Sequence, residues 1–241
     1  ERMKFFRNLL MFLVVMLLGS GIAHAISFSD LTNGGSLTVG DKLFDNWSVD
    51  YYDAADFGDF DASNIEVTGI DDGGDDGVRF TVSNSELSVT GDDIYNYVDL
   101  ALSFRVSVLD PTYQITGASL GGYSAFHSRT VDGFNDNGSF LYETIGTGFG
   151  MADLGDMYAE FSVLDDVGTS SLTDLILFDP QSEIWVSKNI LVWAMDSTDS
   201  AGLSGFDQRF SQAVIPEPST FLLLGGGLAG LAFYARRRRK E

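Results

Sequence analysis

The stretch "YVDLALSFRVSV", Tyr97 to Val108, alternates without a break. Val98, Leu100, Leu102, Phe104, Val106 and Val108 are apolar, and Asp99, Ser103, Arg105 and Ser107 lie between them. Successive side chains leave a pleated strand on opposite sides, so a period of two marks a strand with one buried and one wet face. A helix would scatter the same six apolar residues around its circumference.

Working outward, the chain from Ile26 to Ile215 repeats this signature in short runs: "SLTV", "WSVDYY", "NIEVTGI", "VRFTVS", "ELSVT", "YQITGASL", "AFHSRTV", "SFLYETIG", "AEFSVL", "LTDLILF", "EIWVSKNILVWAM" and "FDQRFSQAV". Dense turn signals separate them, among them "TNGG", "DDGGDDG", "TGDD", "DGFNDNG" and "DSTDSAG". No run holds apolar residues at helical spacing for three turns. The expected fold is all-β, an antiparallel β-sandwich of jelly-roll-like form. One domain over 26–213 is expected, because no Pro/Ser-rich linker interrupts it. "TGASLGG" reads as strand and then turn, which puts His127 on a neighbouring strand.

Charge narrows the partners. Between residues 26 and 215 there are six basic residues (Lys42, Arg79, Arg105, Arg129, Lys188, Arg209) against 32 acidic ones, a net −26. Such a surface repels phosphate backbones and anionic headgroups, which argues against nucleic acid. The absence of cysteine excludes disulfides, thiolate metal sites and a thiol nucleophile.

Both ends read as addresses. Arg2, Lys4 and Arg7 precede a ten-residue apolar run, Leu9 to Leu18, and Ala23-His24-Ala25 follows. These are the basic region, apolar core and small-x-small cleavage site of a secretory signal over 1–25, with Ala23 and Ala25 read by signal peptidase. The run is shorter than the roughly 20 residues that span a bilayer. At the other end, 214–241, comes "VIPEPSTFLLLGGGLAGLAFYARRRRKE". Pro216-Glu217-Pro218 blocks helix and sheet pairing and holds the chain extended. Phe221 to Ala235 is fifteen uncharged residues, followed by Arg236, Arg237, Arg238, Arg239 and Lys240. This predicts a short transmembrane helix in the inner membrane, with a basic stop held in the cytoplasm. "GGGLAG" spells G-x-G-x-x-G, but no strand precedes it as a dinucleotide loop requires.

The tail resembles the PEP-CTERM sorting signal, with Ile215 where that family usually has Val. The resemblance implies recognition by an exosortase, a membrane enzyme resembling a cysteine transpeptidase. It also implies an inner-membrane precursor facing the periplasm, delivery to the cell surface or beyond, and an exopolysaccharide or biofilm setting. The mature region is similar to PEP-CTERM proteins of unknown function through "GGSLTVGDKLFDNW" (34–47), "VSKNI" (186–190) and "FDQRFSQ" (206–212).

No catalytic residue is assigned. Gly117-Ala118-Ser119-Leu120-Gly121 matches the nucleophile-elbow pattern, but that elbow needs a strand-turn-helix context and a histidine far downstream. His127 is only eight residues on. Paired carboxylates would suit a glycosidase, with Glu66, Glu86, Glu143, Glu160 and Glu183 the first to consider. Calcium has candidate ligands in Asp71, Asp72, Asp75 and Asp76, although Asp and Gly equally make turns. Trp47, Tyr51, Tyr52 and Phe57, with Trp185 and Trp193, are candidates either for a carbohydrate platform or for core packing. Trp185 and Trp193 share parity and therefore a face. The expected function is that of an exported structural or adhesive protein without catalysis. The alternatives are a carbohydrate-binding module, with or without stabilising calcium, and a secreted glycosidase.

Overall fold

A computed structural model of the chain describes residues 25–55, 59–128, 135–164 and 167–215, with Gly225, Gly226 and Leu228 of the tail. The predicted signal segment up to His24, Phe57, the Pro216-Glu217-Pro218 motif and the Arg236–Lys240 cluster lie outside the described residues. Ala25, at the predicted cleavage site, is exposed.

Two seven-stranded antiparallel sheets account for the described residues. Sheet A runs in space as β1 (Ile26–Ser27), β4 (Ile65–Ile70), β5 (Gly77–Val82), β14 (Ser200–Val214), β8 (Tyr113–His127) and β12 (Asp174–Gln181). Its seventh strand, β6 (Ser88–Thr90), also pairs with β14. Sheet B runs as β11 (Val167–Ser171), β10 (Gly155–Leu164), β9 (Asn137–Gly146), β13 (Glu183–Ala194), β7 (Asn96–Val108), β3 (Lys42–Ala54) and β2 (Leu37–Val39).

The pairing is nested. Taken in chain order, β5 pairs with β14, β7 with β13, β8 with β12 and β9 with β10. The first of these eight strands meets the last, the second the seventh, and so inward. The chain thus behaves as one long hairpin rolled so that alternate strand pairs fall in opposite sheets. A single α-helical turn, α1 (Phe28–Thr32), is capped by Ser27 Oγ accepting from Ser29 N–H at 3.2 Å, and it buries Phe28 and Leu31.

The alternation in β7 is realised as a buried row. Val98, Leu100, Leu102, Phe104 and Val106 are at most 1% exposed, and Val108 at the strand end is half-buried. Rings close the space between the sheets. Trp47 stacks on Phe104 at 4.4 Å, Phe80 of sheet A stacks on Phe206 at 4.5 Å, and Phe44 meets Phe210 across the sandwich at 5.9 Å. Face-to-face burial of this kind supplies most of the stabilisation, at about 25 cal/mol per Å² of apolar area.

Two local expectations are corrected. "YQITGASL" and "AFHSRTV" are not separate strands: β8 runs continuously from Tyr113 to His127, and Ser119 and His127 share it. The Gly121-Gly122 pair makes a bulge instead of a turn. The register on β14 shifts there, with Gly121 opposite Asp207 but Ser124 opposite Gly205. Gly122 sits at φ +56°, which a side chain resists. Likewise "DSTDSAG" does not end as a turn, since Ser200, Ala201 and Gly202 already belong to β14.

Candidate polysaccharide-binding face

Strand β13 sets the geometry. Ile184, Val186, Lys188, Ile190, Val192 and Ala194 point into the core, so Trp185, Ser187, Asn189, Leu191 and Trp193 form the outer row. The shared face expected for Trp185 and Trp193 is the outer face of sheet B, and both rings are half-buried.

Register places further rings beside them. Trp193 lies opposite Tyr97 on β7. Asn189 faces Tyr142 on β9, which faces Tyr158 on β10, and on the other side it faces Ala101, whose partner on β3 is Tyr51. Tyr51, Tyr142 and Tyr158 are 50%, 39% and 46% exposed. From Tyr51 to Tyr158 this row crosses four strand spacings, about 19 Å. Phe140 fills the neighbouring row, 6.1 Å from Tyr158.

Polar groups are interleaved with the rings and already organised. Tyr97 donates its hydroxyl to Asp53 at 2.7 Å, and Tyr51 donates to the same carboxylate at 3.2 Å. Hydrogen bonding to Asp53 pushes the Tyr97 hydroxyl up to about 12, and the bond from Tyr97 holds Asp53 below its ordinary range. Asn189 Nδ2 donates to Asp99 at 2.6 Å and Trp193 Nε1 donates to Asp136 at 2.9 Å. Arg105, at one end of the face, is bound to Asp45 through two nitrogens and to Glu183 through a third.

The other sequence candidates do not converge on one site. The cluster of Trp47, Tyr51 and Tyr52 is split by two register shifts in β3, next to Asn46 at φ 53° and again between Val49 and Tyr51. Trp47 turns into the core, 5% exposed, Tyr51 turns outward, and Tyr52 turns inward onto Phe60 at 5.2 Å. Of the calcium candidates, Asp76 is buried and accepts from Lys42 Nζ at 3.4 Å and from Asp72 N–H at 3.0 Å. The Asp72 carboxylate pairs with Arg209 at 2.6 Å, while Asp71 and Asp75 are exposed. Among the described residues no group of three or more His, Asp or Glu is placed to hold a metal.

The glutamates are dispersed. Glu66 is on β4. Glu86 sits in a turn, not in a strand, and accepts from Asp61 N–H and Asn64 Nδ2. Glu160 accepts from Ser162, Glu183 pairs with Arg105, and Glu143 is buried against Lys188. Ser119 and His127, eight residues apart on one strand, are separated by about 25 Å, and His127 instead packs on Phe161 at 4.5 Å. A shallow pocket of about 170 Å³ opens over Gly122 and Gly205 on sheet A, walled by Arg79 and Asp207. It is smaller than most small-molecule sites, which span about 300–1,000 Å³.

Strand β14 ends at Val214, and Ile215 N–H is still tied to Thr112 C=O at 2.8 Å. The described sandwich stops where the Pro-Glu-Pro begins. Among the described residues no helix is long and apolar enough to cross a membrane. Gly225, Gly226 and Leu228 are helical.

No curated protein matches the chain. Among solved structures, TmCBM61 in complex with beta-1,4-galactotriose is similar at 12% identity, over 70% of this chain and 89% of that one, with a TM-score of 0.25. The enzymatically active domain of bacteriophage CBA120 tailspike protein 4 shares 12% identity over 70% and 19% of the two chains, TM-score 0.24. The Trichoderma harzianum endoglucanase 3 from family GH12 shares 7% over 70% and 97%, TM-score 0.21. Scores this low carry neither fold nor ligand from one chain to another. The family comparison covers only the tail, and it matches the stretch that begins with the last residue of β14. This chain carries a PEP-CTERM protein-sorting motif at residues 214–239.

Proposed function

We propose that the protein is an exported, non-catalytic adhesive element whose jelly-roll sandwich holds an extracellular polysaccharide on the outer face of sheet B. The nested strand pairing supports the jelly-roll reading. In this proposal residues 1–25 are removed by signal peptidase, the domain 26–213 faces the periplasm from an inner-membrane precursor, and an exosortase acts at Pro216-Glu217-Pro218. The sorted domain then resides at the cell surface or in the matrix.

One observation carries the binding reading: the exposed Tyr51, Tyr142 and Tyr158 lie along one row across sheet B, Tyr142 and Tyr158 on adjacent strands and Tyr51 three strands further on, with Asn189 in the row and Asp53 and Asp99 in the next. Pyranose rings stack their C–H faces on aromatic rings while their hydroxyls seek such acceptors and donors. The face carries Asp53, Asp99, Asp136 and Glu160, and its Arg105 is held by two carboxylates. The favoured ligand is therefore a neutral or amino-sugar polymer, not an acidic one.

Affinity electrophoresis through gels holding a neutral glucan, a partly deacetylated amino-sugar polymer or alginate tests this. Retardation in one of the first two, at least halved by Tyr142→Ala and Tyr158→Ala in folded protein, is the expected outcome. Retardation in alginate alone, or retention indifferent to both substitutions, removes the reading.

A further inference from the structure

Two of the three stretches that carry the resemblance in the mature region meet inside the core. "VSKNI" supplies Lys188 from β13, "FDQRFSQ" supplies Gln208 from β14, and β9 adds Glu143. Lys188 and Glu143 are register partners in sheet B, and Gln208 reaches them from sheet A. The three are 2%, 0% and 0% exposed. Lys188 Nζ donates to Gln208 Oε1 at 2.6 Å and contacts the Glu143 carboxylate, and it lies 5.1 Å from the centre of the Phe206 ring. Gln208 Nε2 and Glu143 Oε1 are buried without hydrogen-bond partners among the described residues.

As an ion pair this trio is a poor stabiliser. Removing two charges from water costs several kcal/mol per ion, and apolar side chains of the same volume often do as well or better. The groups are, however, those of an amide exchange: an amine, a carboxamide whose carbon lies one bond beyond the contacted oxygen, and a carboxyl touching the amine. We infer that Lys188 and Gln208 join in an intramolecular isopeptide bond across the sandwich, with Glu143 relaying protons.

The step balances without an oxidant or a cofactor. The Lys188 amine attacks Cδ of Gln208, forming the new N–C bond, while the Glu143 carboxylic acid protonates the carbonyl oxygen. Its carboxylate then takes a proton from Nζ and delivers it to Nε2. As the carbonyl re-forms, its oxygen returns the borrowed proton to Glu143, the Cδ–Nε2 bond breaks, ammonia leaves, and a secondary amide remains. Burial acts on both ionisable partners in the required sense, pushing the Lys188 ammonium down towards the neutral amine and the Glu143 carboxyl up towards the acid. Fixed contact supplies the rest, since well-oriented groups reach effective molarities of roughly 10⁵–10⁸ M.

A second buried lysine provides an internal comparison. Lys42 Nζ meets Gln212 Oε1 at 2.7 Å, but it also lies within 3.5 Å of Gly74 O, Asp76 Oδ2 and Asp41 Oδ1. Four oxygens surround this Nζ and engage its hydrogens, so it is not directed at the Gln212 amide alone. Lys42 therefore stays unlinked. The bond at Lys188 covalently ties β14, the strand that leads into the sorting tail, to the centre of sheet B.

Mass spectrometry of the denatured protein, purified after export, tests the inference without any variant. The expected result is a mass about 17 Da below that of the processed sequence, one lost ammonia. A branched peptide should join the Lys188 and Gln208 segments, trypsin should fail to cut after Lys188, and Lys42 should be free. Glu143→Gln restores the sequence mass in protein whose circular dichroism is unchanged. A folded wild-type protein of full sequence mass, cut normally after Lys188, overturns the inference. So does a deficit of about 18 Da mapped to Glu143, since that would mark loss of water from a different pair.

Discussion

Truncating Trp47 tests whether this ring is part of the core, as its geometry indicates, and not of a ligand platform. The indole is 5% exposed, stacks on Phe104 at 4.4 Å, and meets Phe28 and Phe80 edge-on, each at 6.1 Å. Its Nε1–H donates to the Phe44 carbonyl at 3.2 Å. Trp47→Ala removes the ring from a contact between both sheets and α1, which cannot collapse onto the gap without moving strands. Transfer and cavity terms together cost about 3–5 kcal/mol, and the carbonyl left without its donor adds about 1 kcal/mol. The total, about 4–6 kcal/mol, is a large share of the roughly 5–15 kcal/mol that holds a domain folded. With a urea slope of about 2–3 kcal/mol/M the midpoint should fall by about 2 M. Equilibrium urea unfolding by circular dichroism measures it. Trp193→Ala, on the outer face, should move the midpoint less than half as far. A Trp47→Ala midpoint within about 0.5 M of wild type would refute the packing argument.

Two further outcomes follow from local geometry. A Cβ on Gly122 would sit 2.9 Å from Asp207 Cγ, and Arg79 pins that carboxylate at 2.6 and 2.8 Å. With φ at +56° as well, Gly122→Ala should cost about 1–3 kcal/mol, and an unchanged melting temperature would count against the bulge. In the Asp53–Tyr97 pair, the raised Tyr97 value means the folded state holds that proton more tightly. Its contribution to stability is present below pH 10 and is lost as pH rises to about 12. Asp53 runs the other way: its contribution is present above its ordinary 3.8 and is lost as pH falls through the lower folded value. NMR titration of the Tyr97 ring should show its midpoint dropping towards the ordinary tyrosine value in Asp53→Asn, and no movement would show that the hydrogen bond is not its cause.

By itself the sequence determined those features that depend on neighbours along the chain. The parity of Tyr97–Val108 settled which side of β7 is buried, and the same rule put Trp185 and Trp193 on one face, because an unbroken strand keeps its phase; that this face is the outer one only the structure decides. The order of Pro-Glu-Pro, apolar run and arginines marked the sorting motif, since a peptide read in extended form carries its signal in linear spacing. Only the tertiary structure could decide where that phase is reset. Parity would have put Trp47 and Tyr51 on one side and Tyr52 on the other, yet two bulges in β3 send Trp47 inward and Tyr51 outward. "SLGGYS" has the composition of a turn, yet it is a bulge because β14, some eighty residues away, continues past it. The Tyr51–Tyr142–Tyr158 row and the Lys188–Glu143–Gln208 trio are likewise invisible in linear order. Their members come from strands brought together by sheet pairing and by the stacking of one sheet on the other, and that register is fixed by burying the two apolar faces against each other, not by any local preference.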